Sequence, residues 1–320
     1  MMPTLIDGFD QLQQLVYEHL LQPLMFQLGL GNLLEDGFAA TGWLLAGVVQ
    51  VIIMVTVFAA LERWKPVEHV TDRKAVRVDV LYTLIHRLGV FRLALFLTVD
   101  PLWDELIGSL RVHGLPTFQL DQLWPGVTDA ALVSFVLYLV LFDFIDYWVH
   151  RAQHQFHWWW QLHALHHSQR QMTLWSDDRN HLLDDLLRDS LMVLLALLVG
   201  IAPGQFVAVV ACTRLLESLS HANARLSFGK LGRVLVSPCF HRLHHSIGIG
   251  HESAGKGTLG GCNFAVLFPV WDRLFGTANF ERRYEPTGIR DQLAEEGGRD
   301  YGRGFWAQQW LGVMRLLGRA

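Results

Sequence analysis

The sequence is poor in cysteine, in charged residues and, near its start, in basic residues. Its three cysteines, Cys212, Cys239 and Cys262, form no CxxC pair, so neither a disulfide scaffold nor a thiolate metal site is expected. Charged residues make up 18% of the 320 positions and hydrophobic residues 51%, whereas soluble domains carry about 25% charged residues. This deficit predicts a lipid-facing surface, and the net charge of -4 gives no reason to expect nucleic-acid binding.

Long uncharged stretches accompany this shortage of charge. Residues 43–61 contain no charge and are about as long as a helix that crosses a bilayer core. Residues 81–99 form a weaker span with one histidine and two arginines, which we expect to be buried against other helices. Residues 130–147 form a further span. Residues 190–213 carry the turn signal GIAPG at 200–204, which predicts two short helices that enter the membrane and return.

Basic residues indicate how these spans are oriented. Residues 1–62 contain no Lys or Arg, whereas residues 63–78 contain five, so the positive-inside rule places residues 63–78 in the cytoplasm and the N-terminus outside. No basic region of a cleavable signal peptide precedes the first span. The histidine-rich region then begins on the cytoplasmic side, and a hairpin at residues 190–213 keeps all of its segments on that side.

These patterns predict an all-α integral membrane helical bundle, multi-pass, with a cytoplasmic helical cap that holds a histidine-rich di-metal site. The expected parts are an N-terminal interfacial segment at 1–42, membrane helices and an outer loop at 43–128, a catalytic domain at 129–280, and a cytoplasmic or interfacial tail at 281–320. In the tail, Trp306, Trp310 and Met314 recur every fourth residue. That spacing fits an amphipathic helix on the membrane or ordinary packing on the cap.

Histidine is the residue in excess, since 11 of the 16 histidines lie between positions 150 and 245. They form three boxes with the spacings HxxxH, HxxHH and HxxHH, made of His150 and His154, of His163, His166 and His167, and of His241, His244 and His245. Spacings of three and four place the imidazoles of each box on one helical face.

Eight such histidines exceed the needs of one metal ion. A tetrahedral zinc site takes four ligands, or three with an open position for catalysis. Two ions that prefer octahedral coordination would use all eight and leave room for dioxygen or water. A lone HxxxH is as readily structural, but three boxes on one membrane face indicate a metal centre. Imidazole suits iron, zinc, copper and nickel alike, so the ligand type does not select the metal.

The order of the boxes resembles the fatty acid hydroxylase superfamily, which includes sterol desaturases, sterol methyl oxidases and lipid hydroxylases. The resemblance covers residues 130–280, and the segments that carry it are 143–151 (DFIDYWVHR), 163–168 (HALHHS), 179–184 (RNHLLD), 221–223 (HAN), 239–246 (CFHRLHHS) and 271–277 (WDRLFGT). The chain departs from the family at Leu182, Gly261 and Ala265, where a proline, an acidic residue and a glycine are usual. These departures leave the metal site intact and concern the substrate pocket.

The resemblance implies that the eight box histidines bind two iron ions and that dioxygen is the co-substrate. It also implies His181 and His221 as further ligands. We expect His157 to be structural or to support a ligand. The histidines expected to be ordinary are His19, His69, His86, His113 and His251.

Ligand imidazoles need an acceptor for their second nitrogen, and residues near the boxes are candidates for this role. The expected supporting residues are Asp143, Asp146, Asn223, Asn263 and Glu217. Carboxylates in an apolar span are costly and usually functional. As alternatives, Asp143 and Asp146 pair with Arg87 or Arg92 between helices, and Glu217 is a metal ligand or a solvated surface acid.

The resemblance implies an oxidoreductase that hydroxylates or desaturates a fatty acyl chain or sterol-like lipid taken from the bilayer, with hydroxylation favoured. The protein would position the substrate, while metal and dioxygen supply the chemistry. Electrons are expected from a separate donor, a ferredoxin or a cytochrome b5-type protein with its reductase. A basic docking face for that donor could include Arg170, Arg225, Arg233 and Arg242, or these arginines are simply solvated.

Two other classes of protein bind metal through histidine at a membrane. A zinc-dependent lipid head-group hydrolase would need fewer histidines, and neither dioxygen nor reductant. A membrane metal transporter or metal-binding protein would place histidines inside the spans along a path. The boxes of this sequence cluster just outside the predicted spans, which disfavours the transporter.

Overall fold

Helices form the regular structure of this chain in a computed structural model that describes residues 5–116, 118–248 and 261–320. These ranges contain no strand, only two isolated β-bridges, Pro66 with Ala224 and Ser246 with Thr287. The all-helical prediction is thus confirmed for the described part of the chain. His251, expected to be ordinary, lies outside the described residues.

The N-terminal region builds the first helix of membrane-spanning length. Helices α1 (Leu5–Val16) and α2 (Gln22–Gln27), joined by a π-helical turn, precede it and pack against it. The long helix then runs from Gly31 to Trp64 over 34 residues, as α3 (Leu34–Ile53), a second π-helical turn and α4 (Ala59–Trp64). It contains the span predicted at 43–61 and extends it at both ends.

The weak span predicted at 81–99 is a bent pair of helices. Helix α5 (Arg73–Arg87) and helix α6 (Val90–Thr98) meet at an angle of 49°. The bend falls at Gly89, whose φ of 78° lies in the left-handed region that glycine adopts without steric cost. Helix α7 (Asp100–Val112) follows on the far side of the bend.

The second helix of membrane-spanning length is α8 (Ala131–Gln155), which carries the first histidine box in its last turns. It is longer than the span predicted at 130–147, because the box itself is helical. Helix α9 (His157–His167) turns back after Phe156 and carries the second box. Among the described residues, two helices are long and apolar enough to cross a membrane, or three if the bent pair is one span.

The chain breaks where the hairpin was predicted at 200–204. Helix α10 (Leu182–Val199) ends at Gly200, whose φ is 61°, and helix α11 (Pro203–His221) begins with a proline at its first position. Left-handed glycine after a helix and proline at the start of the next are the usual terminator and initiator. The two helices are longer than predicted, so α11 reaches down to His221.

Three short helices complete the cap. Helix α12 (Pro238–His244) carries the third box and is capped by Ser237, whose side chain accepts from Phe240 N. Helices α13 (Val270–Leu274) and α14 (Phe305–Leu316) follow. Helix α14 packs on α9, as the second interpretation of the tail predicted, and leaves Trp306 and Trp310 exposed. Contact of this helix with a membrane stays a prediction.

An apolar core joins three of the helices next to the histidine boxes. Its buried members include Tyr138 and Phe142 of α8, Met192 of α10 and Val209 of α11. This core packs α8, α10 and α11 against one another next to the site.

Close approach of α3 and α5 depends on Gly47. A Cβ at this position would lie 1.6 Å from the carbonyl oxygen of Arg87. We therefore expect Gly47→Ala to lower the free energy of unfolding by at least about 2 kcal/mol, because backbone must move to relieve the overlap. Gly108→Ala in α7 is the matched control, since no atom lies within 4 Å of its Cβ position. Equal Tm values for the two purified variants would contradict this.

Candidate metal centre

The described histidines include two tetrads, each with four buried side chains whose ligand nitrogens lie within 4.8 Å of one another. The first tetrad is His150, His154, His167 and His244. The second tetrad is His166, His221, His241 and His245. Each tetrad draws on three helices, or on the residue directly after one of them. Seven of the eight box histidines and the predicted extra residue His221 thus come together in two groups of four.

Nitrogens of the second tetrad point at one another. The Nε2 atom of His221 lies 3.2 Å from Nε2 of His166 and 3.0 Å from Nε2 of His241, and the Nε2 atoms of His241 and His245 are 3.1 Å apart. A neutral imidazole has one N–H. Four ring nitrogens that converge in this way therefore cannot all be paired as donor and acceptor. Convergence of lone pairs on a common point is the arrangement that a metal ion requires.

The two tetrads touch. The rings of His167 and His245 stack with centroids 4.3 Å apart, and those of His244 and His245 are 5.2 Å apart. The adjacent pairs of the two HxxHH boxes explain this contact, because each pair sends one imidazole to each tetrad. The second and third boxes therefore bridge the two groups.

His163, the remaining box residue, lies beside both tetrads. Its ring centroid is 5.2 Å from that of His150, 5.0 Å from that of His154 and 5.3 Å from that of His166. Its Nε2 is buried and has no hydrogen-bond partner in the described part of the chain. This nitrogen is thus available as a ninth donor at the junction of the tetrads.

Backbone carbonyls orient several of these rings. Nδ1 of His150 donates to Phe264 O at 2.8 Å, Nδ1 of His244 to Cys262 O at 2.7 Å, and Nδ1 of His221 to Glu217 O at 2.8 Å. A carbonyl oxygen only accepts, so the proton is on Nδ1 and the lone pair on Nε2. Such outer partners fix the tautomer of a ligand imidazole. Sequence reasoning missed these carbonyls because every residue carries one.

Asn263, one of the predicted supporting residues, lies in the loop that offers these carbonyls. Asn263 lies between Cys262 and Phe264 with a φ of 60°, and its amide donates to Phe240 O and Asn279 O at 2.9 Å each. Asparagine tolerates this left-handed conformation better than most residues. Asn263 therefore shapes the turn that presents both carbonyls, and its amide makes no described hydrogen bond to an imidazole.

Two aspartates hold the same loop from either side. Asp143 of α8 accepts from Leu267 N at 2.7 Å and from Trp271 Nε1 at 2.7 Å. Asp272 accepts from Phe264 N at 2.8 Å and from Ala265 N at 2.9 Å. The expected supporting role of Asp143 is thus played through the loop and not by contact with a ring. Trp271 and Asp272, the first two residues of the WDRLFGT segment, make these anchoring hydrogen bonds.

Asp184 is the carboxylate that contacts a box histidine directly. One oxygen accepts from His163 Nδ1 at 2.9 Å, and the other accepts from Gln153 Nε2 and Trp159 Nε1 at 2.7 Å each. The side chain is 2% exposed. It therefore fixes the direction in which His163 presents its Nε2.

We expect Asp184→Asn to lower metal affinity about 10- to 100-fold, the usual cost of losing an outer partner of a ligand histidine. The amide would turn an N–H₂ toward one of three donors that now converge on the carboxylate. Competition with a chelator, followed by metal analysis, measures the effect. Asp104→Asn, an exposed change on α7, is the control. Equal metal retention in both variants would rule out a supporting role for Asp184.

The buried imidazoles are held in the neutral form. Burial lowers the pKa of His166, His241 and His244 well below its ordinary value, and the charge that neighbouring histidines would carry lowers it further. Metal binding requires the deprotonated ring. At pH 7 these side chains are thus ready to act as ligands without losing a proton.

Asp146 and Glu217 share one arginine. Arg188 of α10 donates to Asp146 at 2.9 Å and to Glu217 at 3.1 Å. Asp146 is therefore paired between helices, as its alternative role required, but with Arg188 and not with Arg87 or Arg92. Glu217 is 9% exposed, which excludes the solvated surface role.

A second ionic network lies behind His221. Arg87 is 5% exposed and donates to Asp177 at 2.6 Å and to Asp178 at 2.9 Å. Asp177 in turn lies 3.5 Å from His221 Nδ1. The expectation that the charged span at 81–99 is buried against other helices is confirmed at Arg87.

His181 and Asn223 lie outside the tetrads. His181 Nε2 donates to Gln309 O at 2.8 Å, and its Nδ1 accepts from Leu183 N at 3.2 Å, so both nitrogens serve the packing of α14 and the start of α10. Asn223 accepts from Glu68 N at 3.1 Å and donates to Glu68 O at 2.8 Å. It ties the end of α11 to the segment after α4, two residues beyond His221.

The histidines expected to be ordinary differ in their surroundings. His19, His69, His113 and the expected supporting residue His157 are exposed. His86 is buried and lies 3.2 Å from Asp185. His86 thus pairs with Asp185 of α10. The sequence could not predict this contact, because the two residues are far apart along the chain.

The donor set fits metal ions that accept imidazole. Eight buried imidazoles in two contiguous groups suit iron, zinc, copper or nickel and exclude ions that need oxygen ligands. Nε2 of His150, which points away from its carbonyl partner, is buried and has no described hydrogen-bond partner. Fold and site together define a helical membrane protein with a histidine cluster able to hold metal.

Comparison with known proteins gives the family. Residues 135–277 match the family model described as fatty acid hydroxylase. The ornithine lipid hydroxylase OlsE of Rhizobium tropici is 28% identical over 79% of this chain and 71% of its own length. The methylsterol monooxygenase 1-3 of Arabidopsis thaliana is 24% identical over 70% of this chain and 74% of its own length.

A further relative, the alkylglycerol monooxygenase of Caenorhabditis elegans, is 26% identical over 62% of this chain and spans 34% of its own length in the match. No solved structure matches the chain. Residues 135–277, which hold all three histidine boxes, are thus similar to the fatty acid hydroxylase family that the boxes predicted. The three relatives are named as a lipid hydroxylase and two monooxygenases, which are oxidoreductases.

Proposed function

We propose that this protein is a membrane-bound non-haem di-iron oxygenase that hydroxylates a lipid with dioxygen and external electrons. The observation that carries the proposal is the pair of touching tetrads, since two groups of four imidazoles match two adjacent ions. The eight tetrad histidines would hold the two irons, with His163 beside both. When bound, such irons supply the dioxygen activation that cleavage of an unactivated C–H bond requires.

The chain's own residues position what the metals act on. Asp184 and the carbonyls of the 262–264 turn hold the ligand rings in one tautomer and direction. The Arg188 bridge to Asp146 and Glu217 forms the wall of the site on the side of the apolar core. A lipid would reach the centre past this wall.

Relatives named as hydroxylases and monooxygenases support hydroxylation over desaturation, although a sterol desaturase from Gibberella zeae also matches, at 25% identity. The zinc hydrolase is disfavoured because two tetrads and His163 exceed the three or four ligands of a zinc site. The transporter is disfavoured because the imidazoles gather in one buried cluster and do not line a path.

We place the site on the cytoplasmic side. The basic segment 63–78 begins at the end of α4, and its Glu68 is bonded to Asn223, two residues after the ligand candidate His221. The metal cluster therefore lies next to the segment that the positive-inside rule keeps in the cytoplasm.

A separate ferredoxin or cytochrome b5-type donor with its reductase would supply electrons from that side. Of the four arginines considered for docking, Arg242 is buried and paired with Glu68, and Arg225 donates to Pro66 O and Val67 O. Arg170, Arg225 and Arg233 are exposed. A basic docking face would thus depend on these three.

Lipid analysis of cells with and without the gene tests the proposal. We expect a lipid to appear with a mass increase of about 16 units, one oxygen atom, only when the gene is present and air is supplied. A decrease of about 2 units would indicate desaturation within the same chemistry. Loss of a head group without added oxygen would favour the hydrolase and contradict the proposal.

A further inference from the structure

A mostly apolar cavity lies against the metal centre and shares a wall with it. It is bounded by α3, the α5–α6 bend, α8, α10 and α11, and its apolar lining includes Trp43, Phe142 and Val209. The smaller cavity at the histidines is lined by His150, His163, His166, His221 and His241. Asp146 and Arg188 line both cavities, so the two cavities adjoin at the ion pairs of Arg188.

Three layers succeed one another along the helices that meet here. On α8, Phe142, Asp146 and His150 follow at intervals of four residues. On α11 the same interval separates Glu217 from His221, whereas Val209 lies eight residues before Glu217. Four residues of α-helix rise about 6 Å. On both helices the charged layer thus lies about 6 Å from the metal-ligand layer, and the apolar residues lie on its other side, about 6 Å away on α8 and about 12 Å away on α11.

The charged layer contains a carboxylate oxygen, Oε2 of Glu217, that accepts no described hydrogen bond. Glu217 is 9% exposed, and while its Oε1 accepts from Arg188, its Oε2 is buried with no hydrogen-bond partner in the described part of the chain. A buried carboxylate oxygen left unpaired costs about 1–3 kcal/mol or more. Glu217 lines the cavity at the histidines, so a bound molecule can supply the missing donor.

We propose that the Asp146–Arg188–Glu217 layer binds the polar head group of the lipid substrate through a hydrogen bond donated to Glu217 Oε2. The substrate class is an amphipathic lipid whose head group carries a hydrogen-bond donor, which is a hydroxyl, an amide N–H or an ammonium group. Its apolar part occupies the cavity lined by Phe142 and Val209. This assignment rests on the proposed function and adds the substrate's polarity and orientation.

The position of oxidation follows from the layer spacing. The metal-ligand layer lies about 6 Å beyond the charged layer, which corresponds to roughly four or five bonds of an extended chain. The oxidised carbon is therefore in the head group or within about five bonds of the group that donates to Glu217. A plain alkyl chain threaded through the charged layer would instead displace its ion pairs without replacing their hydrogen bonds.

The test supplies the purified, iron-loaded enzyme with reductant, air and a total lipid extract from cells that lack the gene. Tandem mass spectrometry locates the added oxygen in each product. We expect it in the head group or within about five bonds of the donor group. Oxygen added only at distal chain carbons would overturn this inference and leave the proposed function standing, whereas no oxidised lipid at all would overturn both.

Two variants separate lipid binding from metal binding. Glu217→Leu should weaken retention of the identified lipid by zinc-loaded protein, measured by native mass spectrometry, roughly 10- to 100-fold. Glu217→Gln keeps an acceptor oxygen and should stay within a fewfold of wild type. Both should retain full metal content. Metal loss in Glu217→Leu, or unchanged lipid retention, would overturn the assignment.

Discussion

His244→Ala and His166→Ala should each reduce lipid oxidation to background, although each removes a single side chain. His244 belongs to the first tetrad and His166 to the second. Loss of one imidazole from a group of four leaves three ligands, which weakens or empties that site. Because the proposed chemistry needs both irons together, damage to either tetrad should be equally severe.

Metal content should fall with activity in a characteristic way. Each variant is expected to lose about one of two metal ions per chain, since the tetrads are separate groups of donors. The measurement is metal analysis of membrane-inserted, purified protein alongside a turnover assay. His69→Ala, an exposed histidine outside both tetrads, is the matched control and should keep both metal and activity. Normal oxidation by either tetrad variant would defeat the ligand assignment.

Product oxygen should come from dioxygen and not from water. With ¹⁸O₂ in place of air, we expect the hydroxylated lipid to gain the heavy isotope nearly completely, and no product without oxygen. The physical reason is that no acid or base among the side chains can break an unactivated C–H bond, so the added atom must enter through metal-activated dioxygen.

Labelled water and zinc substitution are the controls for this result. Label from H₂¹⁸O should not enter the product, and protein reloaded with zinc should be inactive, because zinc has no redox chemistry. Turnover by the zinc form under nitrogen would identify a hydrolase and reject the oxygenase.

Periodicity and charge made much of this fold predictable. The uncharged run at 43–61 and the apolar run ending at Tyr147 lie within the two helices of membrane-spanning length. Gly200 and Pro203 marked the break between α10 and α11 because each has a strong local conformational preference. The bend at Gly89 was missed, since a glycine inside an apolar run does not reveal which φ it will adopt.

The candidate site was predictable in its ligands and less so in their grouping. Spacings of three and four put the imidazoles of each box on one face, but which of them share a point depends on how α8, α9, α11 and α12 pack. For this reason the sequence could not show that His221 would join a tetrad while His163 lies between the two. His181 was implied by family pattern alone, and its nitrogens are engaged by Gln309 and Leu183.

Supporting residues were the hardest to assign because they act at long sequence separation. Arg188 reaches Asp146 across 42 positions, and Phe264 orients His150 across 114. Acidic residues near a box are visible in sequence, but their partners are set by tertiary packing. Asp143 thus supports the site through the 262–268 loop and not through a ring.

Iron content of the purified protein, with Mössbauer spectroscopy of ⁵⁷Fe-grown material, tests the central claim most directly. A pair of touching imidazole tetrads predicts two high-spin irons per chain, in a spectrum that changes on reduction and on exposure to air. One zinc per chain, or a single iron that responds to neither treatment, would contradict the di-iron account.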